Sequence, residues 1–223
     1  MVNQYERQKK PIIGFYGFWV ILTYFGIISA VVGMVFSIKG NIKYAIICLM
    51  ASGIFDMLDG PVARLAKRND REKSFGVQID SLADLIAFGV FPAILGYSLC
   101  YNYMVHVFGR YALVITLTIM SIYILAALIR LAFFNVIEEE LQSKNEKRRY
   151  FEGLPVTFVA YIIPLVYSLC LIFNFAFDKI YFLLLIFISA LFLIRVKIPK
   201  LKLRILIGCV ILGLPLVIYI FLS

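Results

Sequence analysis

The chain has 223 residues, 63% of them hydrophobic, with a mean hydropathy of +0.95 and a formal net charge of +9 from 22 Lys and Arg against 13 Asp and Glu. A soluble domain is nearer roughly 45–50% apolar, so an ordinary water-soluble globular fold is excluded. In so apolar a chain the basic excess reports membrane topology and contact with anionic lipid, and no nucleic-acid partner is expected.

About 20 apolar residues cross a bilayer, which predicts spans near 15–38, 42–66, 76–101, 110–136, 155–174, 179–195 and 203–222. The run at 179–195 is short enough to be tilted differently or partly interfacial. The expectation is an all-α, polytopic membrane helix bundle forming a single domain over 1–223, with a core at about 15–195 and an extra C-terminal span at about 203–222. The N-terminal MVNQYERQKKPIIGFYGFW has no short apolar stretch followed by a small-residue cleavage site, so its apolar run reads as a retained first span. Cys48, Cys100, Cys170 and Cys209 each stand alone in apolar runs, a spacing that suits small core residues and no zinc site or disulfide framework.

With the N-terminus placed inside, the inner connections hold 17 Lys and Arg and the outer ones hold Lys39, Lys43, Arg110 and Lys179, while Arg130 lies within a span. Lysine and arginine concentrate in cytosolic loops. The N-terminus is therefore expected in the cytosol, and after seven spans the C-terminus outside it. His106 falls in an expected outer loop at 101–109, and a polar loop at 138–153 falls on the cytosolic side.

The stretch that organises the chain is FDMLDGPVARLAKRNDREKSFGVQIDSLAD, which carries Asp56, Asp59, Asp80 and Asp84 at the facing ends of the second and third spans. Asp56 and Asp59 are three apart, and Asp80 and Asp84 are four apart, spacings that put each pair on one helix face. An acid within a span costs about 2.5 kcal/mol or more and normally faces a partner or a wet cavity. A buried ion-pair network is poorly served, because Arg64 and Arg130 cannot neutralise four anions. A hard divalent cation held by carboxylate oxygens is the simpler solution.

Asp56-x2-Asp59-Gly60-x2-Ala63-Arg64, then eleven residues, then Gly76-x3-Asp80-x3-Asp84 resembles the signature of the CDP-alcohol phosphatidyltransferases. The phrases FDMLDG, FGVQIDSLADLIAFGVFPA, IRLAFFNV and YFEGLPV resemble the phosphatidylserine synthase branch of that family, over about residues 52–160. The resemblance implies a six-helix family core and a reaction of CDP-diacylglycerol with L-serine giving phosphatidylserine and CMP. It implies one or two Mg²⁺ or Mn²⁺ ions on Asp56, Asp59, Asp80 and Asp84. It also makes Asp84 the candidate base for the serine hydroxyl proton. Gly60, Ala63, Arg64 and Gly76 become candidates for the nucleotide and its diphosphate, and Arg130, Asn135, Arg148 and Arg149 for serine. A homodimer is implied as well. Pro61 stands where the synthase branch often has Arg, and Phe133 where a second Arg is common.

Three alternatives are weighed beside this reading. The same chemistry can serve another acceptor, such as glycerol phosphate or an inositol phosphate, though a phosphorylated acceptor calls for a larger basic cluster than Arg130 alone. An ether-lipid donor, as in archaetidylserine synthesis, is equally compatible. A cation-coupled transporter would use the acids as an ion site, but it leaves the Gly-x2-Ala-Arg portion unexplained.

Overall fold

A computed structural model describes residues 13–143, 150–195 and 197–199. Arg148, Arg149, Cys209 and the expected span at 203–222 lie outside the described residues. The described chain forms α1 (Ile21–Ile38), α2 (Ile42–Leu65), α3 (Asp70–Asp84), α4 (Phe91–Phe108), α5 (Ala112–Ser143), α6 (Val159–Phe173) and α7 (Phe177–Leu193). Among the described residues, four helical runs are long and apolar enough to cross a membrane, namely Phe18–Ile38, Ile42–Leu65, Asp70–Glu140 and Val156–Phe173. The protein is an integral-membrane helix bundle. The third run covers two expected spans, because Gly109 at φ +52° turns the chain back and lets α4 and α5 pack side by side.

Small residues decide how closely the first helices approach. The buried positions of α1 are Thr23, Gly26, Ala30, Gly33 and Ser37, spaced by three and four, so one narrow stripe faces inward. Between membrane helices such a stripe allows backbone approach where lipid offers no hydrophobic drive to associate. Hydroxyls then bind across it: Ser52 donates to the Gly26 carbonyl at 3.0 Å and Ser29 to the Cys48 carbonyl at 2.9 Å. On the far side of α2, a Cβ added at Gly53 would lie 2.5 Å from Cβ of Ala160, so α6 packs against bare backbone there.

The segment carrying the second pair of acids is less regular than a single long span. An Asn69–Glu72 capping box starts α3, each side chain meeting the other residue's backbone N–H at 2.9 Å. After Asp84 the chain makes a π-helical turn over Leu85–Val90, in which the Phe91 N–H reaches back five residues to the Ile86 carbonyl. Pro92 has no N–H to give the Phe88 carbonyl. The buried Tyr123 hydroxyl fills that vacancy at 2.6 Å and fastens α5 to the turn.

Several expected boundaries move. The third helical segment starts at Asp70 and not 76, and α4 runs to Phe108, so His106 lies in its last turn and not in a loop. Likewise α5 continues to Ser143, into the expected polar loop. The expected 179–195 segment is α7, Phe177–Leu193, which packs on α4 and α5 and buries Tyr181, Leu185 and Ile188 completely. A short antiparallel pair, Tyr150–Glu152 with Lys197–Pro199, is the only β-structure among the described residues and leaves the all-α class unchanged.

Candidate active site

The second and third helices bring all four aspartates together. Carboxylate oxygens of Asp56, Asp80 and Asp84 lie within 4.8 Å of one another. Asp56 adjoins Asp84, and Asp59 adjoins Asp80. Asp59 is set slightly apart: it is 8% exposed, and its Oδ2 accepts a hydrogen bond of 3.1 Å from the Thr23 hydroxyl on α1. Three ionised carboxylates at that spacing repel by about 3.5 kcal/mol per pair at an effective dielectric near 20.

A cation fits this arrangement on two further grounds. The chamber between the acids is about 10 Å³, room for about one water-sized particle. Within it, Oδ1 of Asp80 is buried and has no hydrogen-bond partner. An orphaned acceptor of that kind is costly unless a cation or donor meets it. Carboxylate oxygens converging on a small space are the donor set of a hard divalent ion.

A second cavity of about 170 Å³ adjoins the chamber and shares Thr23, Asp59 and Asp80 with it. Its remaining wall includes Gly60, Ala63 and Gly76 from the two acid-bearing helices, with Trp19 and Arg68. A Cβ at Gly60 would meet nothing within 4 Å, so this glycine is not there to let helices pack. Its bareness widens the cavity. Arg64 is exposed in the last turn of α2 and lines neither space.

The expected serine-side residues are placed differently from the acids. Arg130 is buried; its Nε donates to the Leu154 carbonyl at 3.1 Å and its Nη2 to the Gly153 carbonyl at 3.2 Å, with Phe134 beneath the guanidinium. It also borders a separate space of about 190 Å³ with Phe133 and Arg195. Asn135 exchanges hydrogen bonds with Ser81, the residue after Asp80, at 2.9 and 3.1 Å, which ties α5 to α3 beside the acids.

Comparison with known proteins bears on this geometry. The family model described as CDP-alcohol phosphatidyltransferase matches residues 20–194. The chain belongs to that family. It is 35% identical over 163 residues to a CDP-diacylglycerol–serine O-phosphatidyltransferase of Saccharomyces cerevisiae, covering 70% of this chain and 54% of that protein. It is 34% identical over 158 residues to an archaetidylserine synthase of Methanothermobacter thermautotrophicus, covering 71% and 60%. A Helicobacter pylori CDP-diacylglycerol–serine O-phosphatidyltransferase is 32% identical over 158 residues, covering 69% and 60%. The matches thus span a little over half the length of these curated relatives.

Sequence reasoning missed Thr23, Trp19, Arg68 and Ser81. Thr23 had a signal, since it is a hydroxyl in an apolar span at the head of a small-residue stripe. Arg68 had none: Ala66 ends α2 in an extended conformation, and only that turn carries the next residues back over the cavity.

Proposed function

We propose that this protein transfers the phosphatidyl group of CDP-diacylglycerol to the hydroxyl of L-serine, giving phosphatidylserine and CMP. The observation that carries the reading is the convergence of Asp56, Asp80 and Asp84 on one ion-sized chamber that opens beside a second cavity of about 170 Å³. Relatives named for serine transfer support the choice of acceptor.

Asp56, Asp59, Asp80 and Asp84 hold one or two Mg²⁺ or Mn²⁺ ions. Held by these carboxylates, the metal would supply charge neutralisation to the diphosphate. Gly60, Ala63 and Gly76 let the nucleotide lie against backbone, with Arg64 one residue beyond Ala63. Asp84 accepts the serine hydroxyl proton as that oxygen bonds to the phosphatidyl phosphorus and the bond to CMP breaks. Arg130 and Asn135, joined by Arg148 or Arg149, orient the serine. The whole chain, 1–223, acts as one domain whose core is about 15–195, as a homodimer, with its N-terminus and active site on the cytosolic side.

The test is CMP release from CDP-diacylglycerol with serine, glycerol 3-phosphate or inositol phosphate supplied in turn. Release with serine alone is expected, and release only with a phosphorylated alcohol overturns the reading. A second donor is favoured by the archaetidylserine synthase relative. Faster CMP release from the ether-linked CDP-archaeol than from the ester lipid would identify that donor.

A further inference from the structure

The nucleotide cavity contains one guanidinium that lies outside the family signature. Arg68 follows the end of α2 and folds back so that its guanidinium carbon sits 5.4 Å from the centre of the Trp19 ring. Trp19 is buried, and its ring meets Phe75 on α3 at an interplanar angle of 88° with centroids 6.4 Å apart. The same Arg68 passes over Gly76: a Cβ there would come within 3.1 Å of its Nη1 and 3.3 Å of the Trp19 ring. Gly76 therefore clears the place that Arg68 occupies.

The charge layout gives this arrangement a direction. Asp59, Asp80 and Arg68 all line the cavity, and among the described residues no ion pair joins Arg68 to either acid. Once a divalent ion covers the acids, an anion in the cavity lies between two cations. Among the nucleotide's groups, the phosphate is the anion. A guanidinium stacked on an indole is held by cation–π attraction while its N–H groups stay available, which prepares it for phosphate oxygens.

We propose that Arg68, carried by Trp19 and given room by Gly76, binds the phosphate of the cytidine nucleotide. This rests on the nucleotide reading of the cavity under Proposed function. Arg68 thus supplies inside the cavity the cation that Arg64, exposed on α2, does not supply there. Gly76 acts on the nucleotide through Arg68 and not only through its own bareness.

Trp19 is the sole tryptophan of the chain, so its emission reports this cavity alone. The experiment titrates CMP, with Mg²⁺ present, into the full-length protein in detergent. Trp19 emission and equilibrium dialysis are read in parallel. In the wild type, emission changes saturably at the concentration where dialysis shows binding. Arg68→Ala weakens CMP binding about tenfold or more, as loss of a charge-assisted hydrogen bond does, and Arg68→Lys, still cationic, falls between the two. Gly76→Ala weakens binding in the wild type but adds little to Arg68→Ala, because both act on one contact.

No CMP binding to the wild type by dialysis overturns the nucleotide reading, and this inference with it. Binding without an emission change, or undiminished in Arg68→Ala, overturns the inference alone. Arg68→Lys as weak as Arg68→Ala refutes the phosphate as the group bound, and additive losses in the double variant refute the link to Gly76.

Discussion

Thr23→Val tests whether the first helix helps to build the acidic site. The change replaces the hydroxyl that donates to Asp59 Oδ2 at 3.1 Å with a methyl of nearly the same shape, so no cavity opens. A hydrogen bond to a charged group contributes about 1.5–3 kcal/mol, and about 1.4 kcal/mol corresponds to a factor of ten. Removing partners that orient metal ligands costs about 10–100-fold in affinity or activity. The two magnitudes agree. CMP release is measured against Mg²⁺ concentration, and the half-saturating concentration is expected to rise about tenfold or more by the same orienting effect. Thr23→Ser keeps the donor and stays near the wild type. Thermal melting in chelator separates a loss of fold from a loss of metal. A folded Thr23→Val with unchanged Mg²⁺ dependence refutes the argument that Asp59 depends on this partner.

Three other outcomes are expected. Asp80→Asn removes one of the crowded carboxylates, so in chelator at alkaline pH, where that group would otherwise have to ionise, it melts higher than the wild type, yet it abolishes turnover and the stabilisation by Mg²⁺. A lower melting point under those conditions contradicts the charge argument. Gly53→Ala drives a methyl into Ala160 and costs about 1–3 kcal/mol by overpacking α2 against α6; an unchanged melting temperature in detergent refutes that contact. Arg130→Ala strips the Gly153 and Leu154 carbonyls of their donor, so a drop in melting temperature accompanies a rise in the serine KM. Arg130→Lys restores neither, since an ammonium lacks the planar fork. A raised serine KM at unchanged melting temperature means Arg130 touches substrate without supporting the fold.

Much of the site was legible because α-helical geometry is local. Three- and four-residue spacings put Asp56 with Asp59, and Asp80 with Asp84, on common faces whatever the rest of the chain does. Hydropathy likewise placed the described helices to within several residues, since the need to satisfy every backbone group in lipid leaves few alternatives to helix. Departures occur where a local signal competes with length. The Asn69–Glu72 capping box pulled the start of α3 back to Asp70.

What the sequence by itself determined is the membrane-embedded helical bundle and the two acidic pairs, because the 3.6-residue period and the apolar run lengths are properties of the chain alone. Only the tertiary structure decided which side chains join those acids. Thr23 reaches Asp59 because the small stripe of α1 lets α2 come close, and Asn135 meets Ser81 because α5 is fastened to the π-turn after Asp84. Arg68 enters the cavity and Arg64 does not, because the chain turns at Ala66, and the direction of a turn depends on what it packs against, not on any period in the residues before it.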